Sequence, residues 1–150
     1  MKKLMSAGLL LVLCILLTGC GKTITCNNPK SEQKDYSIST DYKIKAKGDI
    51  VTSITIKQVI ESKEKKVLKN FKKQLEDQYK SNNNIYGGYD YKVSIKGKTL
   101  TADITIDYKK FDLAKFVKTN GAMKKFVNKD NKLTVKGAKK MYESTGAKCK

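Results

Sequence analysis

The sequence predicts an α+β domain: a four-stranded, mainly antiparallel sheet in ββαββ order, with helices packed on one face and a further helix at the C-terminal end. Three observations carry this. Two stretches, 36–60 and 89–108, alternate apolar and polar residues with a period of two, and each is broken by a glycine turn. Between them the apolar spacing changes to three and four, the mark of an amphipathic helix. After the second stretch come shorter helical patterns that begin with residues suited to helix caps.

The elements follow in order. Tyr36, Ile38, Thr40, Tyr42 and Ile44 alternate with Ser37, Ser39, Asp41, Lys43 and Lys45, so this segment reads as a half-buried strand. Lys47-Gly48-Asp49 is turn chemistry, and Ile50, Thr52, Ile54 and Ile56 continue the alternation as the second strand of a hairpin. Val67, Leu68, Phe71, Leu75 and Tyr79 then place a helix over roughly 63–81, with Glu61 and Glu64 near its N-terminal end and Ser81-Asn82-Asn83-Asn84 ending it. A second hairpin runs from Tyr89, Tyr91, Val93 and Ile95 through the Lys96-Gly97-Lys98 turn to Leu100, Ala102, Ile104, Ile106 and Tyr108. Asp112 can cap a short helix bearing Leu113, Phe116 and Val117, interrupted at Asn120-Gly121 and resumed through Met123, Phe126 and Val127. Thr134 suits the N-cap of a last helix with Val135, Ala138, Met141 and Tyr142 inward, and Gly146 suits the position just past its end.

The N-terminus has a different character. Met1-Lys2-Lys3 is a short positive region, Leu4 to Leu17 is apolar, and Thr18-Gly19 supplies small residues before a cleavage point. The apolar run is shorter than the ~20 residues that span a bilayer. Leu17-Thr18-Gly19-Cys20 resembles a bacterial lipobox. That resemblance implies cleavage before Cys20 and a diacylglycerol on its sulfur. The folded part would then sit at the outer face of the cytoplasmic membrane without a transmembrane helix. Two acyl chains, at ~0.8 kcal/mol per buried CH₂, make such an anchor effectively permanent. The alternative is an ordinary signal peptide with an incidental cysteine. On the lipobox reading the chain divides into a signal peptide at 1–19, a lipidated N-terminus and tether at 20–35, and a single domain at 36–150. The tether has room for a short strand at Thr23-Ile24-Thr25-Cys26.

Removing residues 1–19 leaves 131 residues, the size of one domain. The formal charge is +18, of which Lys2 and Lys3 contribute two, so the mature chain keeps +16. Every basic residue is Lys; Arg, His and Trp are absent. A/T-rich codon usage alone would also enrich lysine. Nucleic acid is not expected as a partner, because the domain is placed outside the cytoplasm and lacks the Arg that favours base and phosphate forks. Anionic lipid headgroups, phosphate-rich wall polymers and an unidentified protein remain as candidate partners. Cys14 leaves with the signal and Cys20 takes the lipid, which leaves Cys26 and Cys149 as the one available pair. A disulfide between them is predicted, since it can persist outside the cytoplasm. Two independent buried thiols are the alternative, and two cysteines without His make a poor metal site.

No catalytic residues are expected. Without His there is no Ser-His-Asp or Cys-His arrangement, and no phosphate cradle, nucleophile elbow or zinc motif appears, so neither metal nor cofactor is expected. Asp103 and Asp107 share a strand face but are expected to pair with neighbouring lysines. Lys65, Lys66, Lys69, Lys72 and Lys73 lie opposite the apolar stripe of the 63–81 helix and are candidates for contact with an anionic surface. The bland alternative is a solvated outer face supported by Lys72–Glu76 and Lys73–Asp77 pairs. Tyr86, Tyr89, Asp90 and Tyr91, beside Gly87-Gly88, are candidates for ligand binding through exposed rings. Their bland alternative is a glycine turn feeding a Tyr-rich strand.

Taken together, the lipobox, Thr25-Cys26 shortly after it, the Tyr-containing strands with a Lys-Gly-Lys turn, and the closing Gly146-Ala147-Lys148-Cys149-Lys150 resemble the small YehR-like lipoproteins of bacteria. The resemblance covers roughly residues 20–150 and implies a compact α+β domain on a lipid anchor. It supplies no catalytic residues. The expected function is therefore a binding or interaction module at the cell envelope. The alternative is an envelope hydrolase or solute-binding lipoprotein with a Tyr- and Lys-lined pocket.

Overall fold

The alternating stretches fold as the two expected hairpins, and the hairpins join edge to edge in one sheet. A computed structural model of the chain describes residues 21–150, so the expected signal segment and Cys20 lie outside the described residues. Within them, β1 (Gly21–Glu32), β2 (Ser37–Lys47) and β3 (Ile50–Glu61) precede helix α1 (Lys65–Tyr86). β4 (Tyr89–Lys96), β5 (Thr99–Asp107), α2 (Leu113–Thr119), a 3₁₀ helix (Gly121–Phe126), α3 (Val135–Glu143) and β6 (Lys148–Cys149) follow. The strand order is β4-β5-β3-β2-β1-β6, and every pairing is antiparallel. None of the described helices is long and apolar enough to cross a membrane.

The sheet therefore has six strands among the described residues, not four; the ββαββ run supplies four adjacent strands with β4 at one edge, and β1 and β6 extend the sheet past β2. β1 occupies most of the segment expected as a tether. It pairs with β2 from Gly21 opposite Lys47 to Glu32 opposite Ser37, with a register shift between Asn28 and Ser31. Pro29, which cannot donate a ladder hydrogen bond, falls in that shift. The outer edge of β2 offers unpaired N–H and C=O groups, so backbone pairing can hold β1 although only Ile24 and Cys26 reach the core. β6 adds two residues beyond β1.

One face of the sheet is the core. Ile44, Ile54, Ile60, Val93, Leu100, Ala102, Ile104 and Ile106 are buried there under the helices. α1 lies over β4 and β5, and α3 over β2, β3 and β6. Burying one Ile or Leu side chain contributes about 1.5–3 kcal/mol, so this row is the main favourable term holding the helices on the sheet. The residues between them in sequence, among them Asp41, Lys43, Lys57 and Asp103, point the other way and stay exposed.

α1 is longer than expected at its C-terminal end. The asparagines continue the helix and then close it: the Asn83 carbonyl accepts from Gly87 N–H at 2.8 Å, and Asn83 Oδ1 accepts from Tyr89 N–H at 3.0 Å. Gly87 at φ +69° and Gly88 at φ +75° make the reversal that stops it. At its start Glu61 belongs to β3, and no acid sits in the first turn. Ser62 does the local work, its Oγ accepting from Glu64 N–H and donating to the Asp35 carbonyl. The later caps match expectation: Asp112 Oδ1 accepts from Lys115 N–H, and Thr134 Oγ1 from Gly137 N–H, both at 2.9 Å.

Candidate functional site

The face that none of the described helices covers gathers the chemistry. Strand register lines up Lys92, Asp103, Lys57, Asp41, Asn27 and Lys148 in one row across all six strands. The next row contains Thr105, Thr55, Lys43 and Thr25, and Thr25 exchanges both backbone hydrogen bonds with Lys150. The twisted sheet forms a half-open hollow of about 680 Å³ here, lined by Lys43, Lys57, Lys148 and Lys150 with Asp41, Asp103, Thr25 and Thr55. Ligand clefts commonly fall in this size range.

Lys57 has a carboxylate on the strand to either side, Asp103 and Asp41, yet none of the four lysines closes an ion pair within 4 Å among the described residues. Asp41 is engaged instead by Asn27, whose Nδ2 donates to its Oδ1. Four ammonium groups against two carboxylates leave an excess of positive charge in the hollow. Such exposed groups interact with one another at about 1 kcal/mol or less, so they can turn toward a bound anion with little loss. The arrangement suits binding of a negatively charged ligand, with threonine hydroxyls as further donors.

The expected ligand-binding residues do not converge on one surface. Tyr89 and Tyr91 face the helices, with ring centroids 6.2 and 5.7 Å from that of Tyr79, and Tyr89 meets Phe111 edge-on at 5.6 Å. Tyr86 packs on Phe111 and Phe116 at 5.8 and 5.1 Å. Burial pushes the Tyr89 phenol up to about 12. Asp90 points to the opposite, open face and is exposed. Of the α1 lysines, Lys65, Lys66, Lys69 and Lys73 are exposed and Lys72 is half-buried. Lys72 reaches Glu76 at 3.7 Å and Lys73 reaches Asp77 at 2.6 Å, the pairing expected for a solvated helix face. Cys26 and Cys149 are joined in a disulfide. Asp103, expected beside lysines, has Lys57 and Lys92 opposite it in register.

The hollow has no local signature in the sequence. Its residues occupy the polar positions of the alternating strands, but aligning them requires knowing that β3 pairs with β5 and β1 with β2. No short-range signal in the sequence states either.

No protein-family model matches the chain, and no curated protein matches it in sequence. Two solved structures are similar. One, determined by NMR, is of a protein from Streptococcus pneumoniae TIGR4, with 17% identity and a TM-score of 0.51 over 100% of this chain and 96% of that one. The other, also by NMR, is of the Escherichia coli YehR protein, with 18% identity and a TM-score of 0.53 over 83% of this chain and 88% of that one. Identities this low speak of architecture alone, and at that level the chain has a distant YehR-like fold.

Proposed function

We propose that this protein is a lipid-anchored, extracytoplasmic binding module of the cell envelope, held by a diacylglycerol on Cys20 and without a catalytic role. Its ligand is a phosphate-bearing wall polymer, taken up in the hollow of the open sheet face. The observation that supports this is the set of exposed lysines in the hollow, Lys43, Lys57, Lys148 and Lys150, on the sheet face that none of the described helices covers. Lys57 and Lys148 stand three strands apart, about 14 Å at ~4.8 Å per strand. That span is too wide for one phosphate and suits successive phosphates of a chain.

The test is calorimetric titration of the protein with a glycerol phosphate polymer and with neutral dextran. Binding to the polymer alone, weakened by salt, is expected. The triple variant Lys43→Gln, Lys57→Gln, Lys148→Gln should lower affinity by about 10- to 100-fold, taking roughly 0.5–1 kcal/mol per exposed contact. Unchanged affinity in the variant would remove the hollow from the account. A second reading, capture of a small anionic solute, draws on the volume of the same hollow. Saturable binding of monomeric glycerol phosphate, as tight as that of the polymer, would favour it. The anchor has its own test: Cys20→Ala should abolish lipid labelling and membrane retention, and unchanged retention with labelling would refute it.

A further inference from the structure

Gly21, the residue after Cys20, is already in the sheet, opposite Lys47. On the anchor reading of Cys20, on which this inference rests, no spacer separates lipid from fold. The sheet end at Gly21 is therefore held against the headgroups. That end also carries the β2–β3 turn, the turn after β5 and the loop before α3. Tyr108 N–H donates to the Thr52 carbonyl, Val51 N–H to that of Leu133, and Val135 N–H to that of Asp49, which ties all three together.

Six exposed lysines sit on these segments: Lys22, Lys47, Lys109, Lys110, Lys129 and Lys132. Asp49, Asp107, Asp112 and Asp130 are the carboxylates among them; Asp107 Oδ1 is occupied by Lys109 N–H and Asp112 Oδ1 by Lys115 N–H. None of the six lysines is in an ion pair among the described residues; the pairs present involve Lys30, Lys72 and Lys73. Lys65, Lys66 and Lys69 belong to the other end. α1 begins just past Glu61, which pairs with Ser37 and Thr99, whereas Gly21 pairs with Lys47. Ser37 and Lys47 are the two ends of the 11-residue β2, roughly 33 Å apart at ~3.3 Å per residue step. The Debye length at physiological salt is about 8 Å, so charges that far from the bilayer are screened from it.

We propose that the sheet end at Gly21 docks on anionic lipid headgroups through Lys22, Lys47, Lys109, Lys110, Lys129 and Lys132. The sheet then stands away from the membrane, and the first half of α1, with its lysines, faces outward. The full, lipidated chain is reconstituted in vesicles of phosphatidylglycerol with phosphatidylcholine, or of phosphatidylcholine alone, acetylated briefly, and read lysine by lysine by mass spectrometry. In the anionic vesicles each of the six lysines should lose about fivefold in reactivity relative to Lys65, Lys66 and Lys69, the factor that ~1 kcal/mol per basic residue implies. The protection should vanish in about 1 M salt, where the Debye length is ~3 Å. Equal labelling in both vesicles, or protection of the α1 lysines instead, overturns the docking proposal while leaving the anchor intact. A chain that floats with neither vesicle overturns the anchor, and the proposal with it.

Discussion

Cys26 and Cys149 lie opposite each other on β1 and β6, next to a pair, Thr25 and Lys150, that exchanges both backbone hydrogen bonds at 3.3 and 2.8 Å. In an antiparallel ladder the position beside such a pair is non-hydrogen-bonded, and there the side chains stand closest. Local pairing thus presents the two sulfurs to each other, although 123 residues separate them in sequence. β6 is two residues long, so the bridge and these two hydrogen bonds, with Asn28 Nδ2 donating to the Thr145 carbonyl and Ala147 buried in the core, fix the chain after α3 to the sheet.

Replacing both cysteines with serine should therefore lower stability by about 2–4 kcal/mol, the usual range for a long closed loop. Urea unfolding followed by circular dichroism measures it. In the variant, exchange of the Thr25 and Lys150 amide protons should accelerate ahead of those in β3. An unchanged urea midpoint would mean that hydrogen bonding and packing hold β6 without the bridge.

Gly137 supplies a case in which local propensity and tertiary packing predict opposite signs. It lies inside α3, where exchange of Gly for Ala ordinarily stabilises by about 0.5–1 kcal/mol. A Cβ at this position would fall 1.8 Å from the Phe126 carbonyl oxygen and 2.7 Å from its carbon, both backbone atoms. The 3₁₀ helix or α3 must shift to admit it, and overpacking of this kind costs about 1–3 kcal/mol. Gly137→Ala should consequently destabilise. Gly121→Ala, with nothing within 4 Å of its added Cβ, should stay within about 0.5 kcal/mol of the parent. A Gly137→Ala urea midpoint at or above that of the parent would show that the close approach is absent.

What could be read from the sequence was set by burial. β2, β3, β4 and β5 each bury one face, so their isoleucines, leucines and valines alternate visibly with Lys, Thr and Asp. β1 contributes only Ile24 and Cys26 to the core and is held by its backbone, so Asn27-Asn28-Pro29-Lys30 looks like a loop. The ends of α1 depart from the sequence expectation for one reason: Ser62 Oγ accepts from Glu64 N–H and donates to the Asp35 carbonyl, and Asn83 Oδ1 accepts from Tyr89 N–H, so side-chain bonds to the backbone set its boundaries, not the asparagine run or charge near its dipole. The cysteine pair was legible because counting alone left a single pairing. The lysine-lined hollow depends on the order in which strands associate, which residue types do not encode locally.

Alkaline pH should unfold this protein by way of its tyrosines. Tyr142 stacks on Tyr42 with ring centroids 4.0 Å apart, and burial raises the phenols of Tyr42, Tyr79, Tyr89, Tyr108 and Tyr142 above their usual range, neighbouring phenols adding to the shift for Tyr142 and Tyr108. In the unfolded chain these groups ionise near pH 10. Between that pH and their folded values the native state binds more protons than the unfolded state. The stabilisation is thus complete below about pH 10 and is lost as pH rises, at up to ~1.36 kcal/mol per unit for a buried phenol such as that of Tyr142. The informative quantity is a difference between a variant and its parent. Tyr142→Phe keeps the ring and removes one phenol, and above pH 10 its stability should fall less steeply than that of the parent by about that slope. Absorbance at 295 nm alongside circular dichroism follows ionisation and unfolding together. If all eight tyrosines ionised near pH 10 with the fold intact, the phenol of Tyr142 would not be buried as described.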